Sequence, residues 1–361
     1  MSKNILETSS RREFVHGCLA AVGAATLNGL GSGCSRSASA ASSSFAVVSA
    51  AGTADEAINQ SASAPRYLEL ERSGELRRRD RQLWSMLGDC TLCPRECGEN
   101  RIRGRAGKCG VADTFKIASF GPHFGEEAPL VGSRGSGTIF FSNCNLLCVF
   151  CQNWQINHRG DGRVTTHAEL AGMMMALQRS GCHNINLVTP THLVPHIVRA
   201  LRIAIADGLR LPVLYNSSGY ESLVVLRLLD GVIDVYLPDF KYQDSQLAAR
   251  FSDGAPDYQT HAAAAIKEMH RQVGTLRVTN GIAQRGLLIR HLVLPENTAG
   301  TDGFVKWVAA ELGTDTHVNI MGQYSPQYHA NQYPQLSRRP TREEIAQAMQ
   351  WAREAGLQNF H

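Results

Sequence analysis

The sequence predicts an α/β fold, a partial (β/α)6 TIM-like barrel of parallel strands with a small N-terminal Cys-rich metal-binding module. Three observations predict it. After Gly135, short apolar runs alternate with amphipathic stretches at the spacing of βαβ units. Capping boxes and closing glycines bound several of the amphipathic stretches. Seven of the ten cysteines fall between Cys90 and Cys151, in two sets with metal-ligand spacing.

The expected strands are 138–141, 184–188, 213–215, 233–237, 287–294 and 317–321. Between them, Thr166-x-x-Glu169 opens a helix that Gly181 closes, and a second helix runs over 193–207 to Gly208. Thr341-x-x-Glu344 opens the last helix, to about Ala355. Residues 276–279 lead into Asn280-Gly281, a hairpin signal, so an antiparallel ribbon is expected ahead of the fifth strand. Six parallel strands fall short of the eight of a closed barrel. The barrel is therefore expected to be open, with its chemistry at the C-terminal strand ends.

The chain divides accordingly into a signal (1–34), an Ala/Ser-rich linker (35–66), the Cys-rich module (67–134), the barrel (135–335) and a C-terminal helix (336–361). Ser10-Arg11-Arg12-Glu13-Phe14 before a short apolar, Gly-rich stretch resembles a twin-arginine export signal. That stretch is too short to span a membrane. Cys34 is read as incidental to the signal, and the linker has too few large apolar residues to order itself. A charged helix is expected over 67–87, with Arg77-Arg78-Arg79 on a solvated face. The net charge of +4 is spread thinly over 361 residues, with no basic run interleaved with aromatics. Nothing points to nucleic acid.

The chemistry concentrates in Cys144-x3-Cys148-x2-Cys151, directly after the first strand. Three thiolates on a tight loop ligate three irons of a cubane and leave the fourth iron open. An amino acid can chelate that iron through its amino and carboxyl groups. The segment "SGTIFFSNCNLLCVFCQNWQI", with Phe150 just before the last cysteine, resembles the cluster loop of radical S-adenosylmethionine enzymes. With "GPHFGEEAPLVGSRG", "NINLVTPTH", "VLYNSSGYE" and "VYLPDFKY", the likeness narrows to a branch related to the pyruvate formate-lyase activating enzyme, without being that enzyme. It covers roughly residues 90–328.

The resemblance implies a 4Fe-4S cluster on Cys144, Cys148 and Cys151, and S-adenosylmethionine split by it into methionine and a 5′-deoxyadenosyl radical. It also implies a low-potential electron donor, and a substrate that is either a glycyl-radical-type partner protein or a small molecule. S-adenosylmethionine contacts are expected at the strand ends from Thr189, Thr191, Asn216, Asp239 and Arg290, with Lys241 and His291 nearby. The family's Gly-Gly-Glu pattern after the second strand is replaced here by Thr189-Pro190-Thr191-His192. Glu126 and Glu127 are read as capping or salt-bridge residues, with closure of the site or proton handling as the functional alternative. His192 and His196, at i, i+4 spacing, lack the glutamate of a zinc-protease motif and are read as surface or core histidines.

Cys90-x2-Cys93-x3-Cys97-x11-Cys109 supplies four thiols for a second site, either zinc or a second iron-sulfur cluster. Gly98, Gly104, Gly107 and Gly110 allow the chain to turn around it. Cys182 is expected to pack as a small apolar residue before the second strand, and Met173-Met174-Met175 to pack into the core. Two functions stay open at this level. One is a radical enzyme. The other is an exported, noncatalytic iron-sulfur electron carrier, which the twin-arginine signal favours, whereas S-adenosylmethionine and strong reductant belong to the cytoplasm.

Overall fold

The computed structural model describes residues 64–361, so the expected signal, nearly all of the linker, Cys18 and Cys34 lie outside the described residues. The strands are β1 (Phe115–His123), β2 (Ser136–Phe141), β3 (Arg163–Thr165), β4 (Ile185–Val188), β5 (Val213–Ser217), β6 (Val235–Pro238), β7 (Arg277–Thr279), β8 (Ile282–Leu292), β9 (His317–Met321) and β10 (Asn359–Phe360). They form one sheet in the order β10-β9-β8-β6-β5-β4-β2-β1-β3, with β7 paired to β8 off this path. From β2 to β10 every pairing along the path is parallel. All six expected strands are there, and the two-residue β10 adds a seventh.

The helices are α1 (Tyr67–Arg72), α2 (Glu75–Ser85), α3 (Ala128–Val131), α4 (Trp154–Asn157), α5 (His167–Arg179), α6 (Val194–Ala206), α7 (Leu223–Leu228), α8 (Ser245–Phe251), α9 (Tyr258–Val273), α10 (Thr301–Glu311) and α11 (Arg342–Glu354). Both capping boxes form, at Thr166/Glu169 and Thr341/Glu344. Asn280 and Gly281 take the left-handed φ of 52° and 79° that a two-residue turn between β7 and β8 requires.

Three features differ from expectation. The helix expected over 67–87 breaks into α1 and α2 because Gly74 takes φ 79° between them. Arg79 does not lie on a solvated face: it bonds Glu75 and donates from Nη1 to Leu228 O and Asp230 O at 3.0 and 2.6 Å. Strand β1 went unforeseen. It pairs antiparallel with β2 and β3 and brings the segment before the barrel into the barrel's own sheet. Its Gly121 and Pro122 disguise it, and only its first half alternates cleanly between buried and part-exposed.

The sheet packs apolar residues on both faces. Ile185, Leu187, Val213, Tyr215, Leu287 and Ile289 join the main core, which also takes in α5 and α6. Leu214, Val235, Leu237 and Leu288 form a separate cluster with Leu130, Leu276 and Ala283 inside the curve of the sheet. Side chains alternate along strands, so Asn216, Asp239 and Arg290, each two residues beyond a member of that inner cluster, continue the same face toward the C-terminal strand ends. The inner face is apolar below and polar above.

Just ahead of β6, Asp234 is nearly buried and accepts the Val213 N–H at 2.9 Å. Burial pushes its carboxyl up to about 7, against the lowering effect of the Val213 bond and of Arg285 and Arg66. A carboxyl raised on folding favours the fold in its neutral form. Its contribution is therefore complete below about pH 4, the unfolded value, and is lost as pH rises through about 7. Asp234→Asn keeps an acceptor for Val213 without ionising. It is expected to remove that loss, gaining stability over the parent at pH 8 by on the order of a few kcal/mol and almost none at pH 4. Urea denaturation at the two pH values reads the difference, and an equal gain at both would discount the titration.

Candidate metal centre

The loop that follows β2 turns through two non-glycine residues with left-handed φ, Asn143 at 72° and Leu147 at 58°. Between and after these turns stand Cys144, Cys148 and Cys151, the first two buried and the third half-buried. None forms a disulfide. Each sulfur has hydrogen-bond donors: the N–H groups of Leu146, at 3.4 Å, and of Leu147 for Cys144; Ser252 Oγ at 3.3 Å for Cys148; and Asn157 Nδ2, at 3.3 Å, with the Asn153 N–H for Cys151. Burial pushes the Cys144 thiol up to about 11 and the Cys151 thiol to about 12. As free thiols these groups would stay protonated, so the donors suit thiolates held by a metal.

The loop is fastened from several sides. Asn145 Nδ2 donates to Tyr220 O at 2.8 Å, the Val149 N–H to Phe251 O at 2.9 Å, and the His329 N–H to Val149 O at 2.9 Å. Arg95 donates from Nε to Asn145 O and from Nη2 to Leu146 O, at 3.0 and 3.2 Å, and reaches the carbonyls of Ser252, Asp253 and Gly254 as well. Phe150 is buried, edge-on to Tyr242 and Tyr324. Among the described residues no three His, Cys, Asp or Glu side chains converge on a single ion. A cubane would place each thiolate on a different iron, and three separate sulfurs, each with its own donors, fit that arrangement.

The expected cofactor contacts occupy different situations. Asn216 and Asp239 are half-buried on the inner face, Asp239 accepting from Lys241 Nζ at 2.7 Å. Thr189, at φ 60°, follows β4 and donates its N–H to Asn216 O at 2.9 Å. The turn after β5 closes at Gly219, where a Cβ would stand 2.3 Å from Asp239 O, so only glycine lets the two strand ends approach. Thr191 is buried and its hydroxyl bonds Glu221 at 2.6 Å. Arg290 is bonded to Glu127 from Nε at 2.8 Å and Nη2 at 2.6 Å, and is paired with Glu126 too. Glu126 and Glu127 are thus salt-bridge residues reaching across the inner face, and Asn319 Nδ2 adds 2.7 Å to Glu127.

The histidines are structural. His192 Nε2 contacts Ser142 O at 2.9 Å, while His196 Nδ1 meets His167 at 3.1 Å, so the i, i+4 pair is directed at different partners. Burial pushes both down to about 3. His291 lies between Phe240 O and Thr301 Oγ1. Cys182, Met173 and Met174 are buried in the main core. Sequence reasoning missed Glu221, a fully buried carboxyl held by Thr191 and Tyr215, and it missed Arg95. Only burial distinguishes either from an ordinary surface charge.

Cys90, Cys93 and Cys109 are buried and Cys97 half-buried. Gly98, Gly104 and Gly110 turn the chain at positive φ. At Gly107 a Cβ would stand 3.2 Å from Cys97 Sγ and 3.6 Å from Cys109 Sγ. Burial pushes the Cys93 thiol up to about 12.

With this geometry in view, the profile of the Radical SAM superfamily matches residues 138–242, from β2 past the end of β6. The Uncharacterized protein MJ0674 of Methanocaldococcus jannaschii is 33% identical over 279 residues, 74% of this chain and 75% of that protein. This chain belongs to the radical S-adenosylmethionine superfamily. Membership implies a 4Fe-4S cluster and S-adenosylmethionine as its bound groups. Among solved structures, Streptococcus suis SuiB is similar at TM-score 0.41 and 12% identity over 61% of this chain and 47% of SuiB. Methylornithine synthase (PylB) is similar at TM-score 0.39 and 15% identity over 59% of this chain and 60% of that one. The chain thus spans about half the length of SuiB. No helix among the described residues is long and apolar enough to cross a membrane.

Proposed function

We propose that this protein reductively cleaves S-adenosylmethionine at a 4Fe-4S cluster on Cys144, Cys148 and Cys151, and that the resulting 5′-deoxyadenosyl radical abstracts hydrogen from a substrate. The observation that carries this reading is the set of three cysteine sulfurs on one short loop, each with hydrogen-bond donors, beside the polar C-terminal strand ends. The cluster, when bound, supplies the electron that breaks the sulfonium bond. The protein's own part is orientation and exclusion of water. Asn216 and Asp239 are the side chains best placed to meet S-adenosylmethionine, with Lys241 fixing Asp239. Thr189 offers backbone and hydroxyl. Thr191 and Arg290, whose polar groups are taken by Glu221 and by Glu126 and Glu127, act by shaping the pocket wall.

A low-potential donor must deliver the electron. The family likeness favours a glycyl-radical-type partner protein as the substrate, with a small molecule as the other class. Cys90, Cys93, Cys97 and Cys109 are read as ligands of a second metal centre, zinc or iron-sulfur. Anaerobic reduction with dithionite in the presence of S-adenosylmethionine is expected to yield 5′-deoxyadenosine. Iron-replete protein that reduces and reoxidises but yields none would instead be the electron carrier.

A further inference from the structure

Arg101 lies within the four-cysteine segment and is fully buried. Its Nε donates to Ala112 O at 3.1 Å and its Nη1 to His192 O at 2.8 Å. Its Nη2 has no hydrogen-bond partner, and no carboxylate among the described residues pairs with it. A guanidinium cannot shed its proton in a protein, so burial leaves it charged. A buried charge with no counter-charge is strongly unfavourable.

One sulfur meets this cation and two more lie near its stem. Nη1 stands 4.0 Å from Cys90 Sγ. The space left by the missing side chain of Gly107 is bordered by Arg101 Cδ at 3.8 Å, Cys97 Sγ at 3.2 Å and Cys109 Sγ at 3.6 Å from where a Cβ would be. A neutral thiol offers a cation a weak acceptor but no counter-charge. A divalent ion or a cubane held by four thiolates is a net anion, and N–H···S bonds to such sulfurs are the usual outer partners of these centres.

We propose that Cys90, Cys93, Cys97 and Cys109 hold an anionic tetrathiolate metal centre whose buried counter-ion and hydrogen-bond donor is Arg101. This rests on the reading of the four thiols as metal ligands. The sulfurs as they stand do not close on one ion, so loading draws them together or fills the space with a cubane. Arg101 also makes the centre a neighbour of the radical site, since the carbonyl it bonds belongs to His192, whose ring bonds Ser142 O just ahead of Cys144.

The test uses the full chain with Cys144, Cys148 and Cys151 all replaced by alanine, so that remaining metal reports the second centre alone. After anaerobic reconstitution it is expected to retain either zinc or iron with sulfide, and metal analysis tells which. Adding Arg101→Gln is expected to weaken retention against a chelator by about 10–100-fold, the usual cost of losing an outer partner. Arg101→Lys, which keeps the charge, is expected to lose less. Urea midpoints separate charge from scaffolding: a counter-ion matters to the metal-loaded protein, whereas a scaffold residue lowers loaded and metal-free midpoints alike. Arg101→Met, which keeps the packing stem, gives the same comparison should the glutamine variant not fold. Unchanged retention in the charge-removing variants, or equal midpoint losses, overturns the role of Arg101. No metal in the parent triple variant overturns the reading beneath it.

Discussion

Replacing Cys144, Cys148 or Cys151 by alanine is expected to bring 5′-deoxyadenosine formation down to background while the barrel stays folded. On the proposed assignment each sulfur would serve a different iron, so no remaining pair would hold the cubane in place. The loss should exceed the roughly 10–100-fold cost of removing an outer partner. The fold should survive because the loop is fastened through backbone and Asn145 contacts that the substitutions leave intact: Arg95 to two of its carbonyls, Val149 to Phe251, Asn145 to Tyr220. The measurements are deoxyadenosine yield, iron content and far-ultraviolet circular dichroism on the same preparations. Wild-type yield from any of the three variants would remove that cysteine from the cluster. Ser252→Ala, which takes away the 3.3 Å donor to Cys148 together with the 2.9 Å partner of the Tyr242 hydroxyl, should fall between parent and cysteine variants.

What the sequence disclosed and what it concealed follow from the range of the interactions. The parallel strands were legible because both faces of the sheet are covered, which makes each a short apolar run, and because Thr166, Thr341, Gly181 and Gly208 mark the intervening helices locally. The cluster loop was legible because its three cysteines lie within eight residues of one another. Strand β1 was not, since a strand carrying Gly121 and Pro122, and covered by β3 only over Phe115–Ile117, owes its existence to its partners β2 and β3 rather than to its own alternation. Nor were the partnerships of charged residues. Arg290 meets Glu127 across 163 positions and Arg95 meets Asn145 across 50, and no local pattern encodes such pairings. Thr191 looked like a cofactor contact because it follows a strand, yet its hydroxyl faces Glu221, whose burial no residue nearby in sequence announces.

The Arg290 cluster should dominate stability. In the sheet order, β8 and β9 are separated from β1 by β6, β5, β4 and β2, yet Glu126 and Glu127, just after β1, reach Arg290 on β8 and Asn319 on β9. The contact therefore spans the interior of the open barrel and holds its two sides together. The side chains of Glu127, Glu126 and Arg290 are 2%, 8% and 13% exposed, which is far from the solvated regime in which ion pairs contribute little. Burial alone would raise both carboxyls. The bond from His123 and the charge and bonds of Arg290 outweigh it for Glu126, holding it at about 2, and Arg290 with Asn319 likewise hold Glu127 low. Arg290→Met keeps the stem but leaves two buried carboxylates without their cation, and at pH 7 it is expected to cost about 3–5 kcal/mol. Carboxyls depressed on folding contribute stability that is present above the unfolded value near 4.3 and is lost as pH falls through the folded value, which for Glu126 is about 2. The parent should therefore lose stability over that interval while Arg290→Met does not, so the gap between them narrows from pH 7 to pH 3. Urea denaturation at both pH values measures it. A gap of equal size at pH 7 and pH 3 would assign the cost to packing of the arginine stem rather than to its charge.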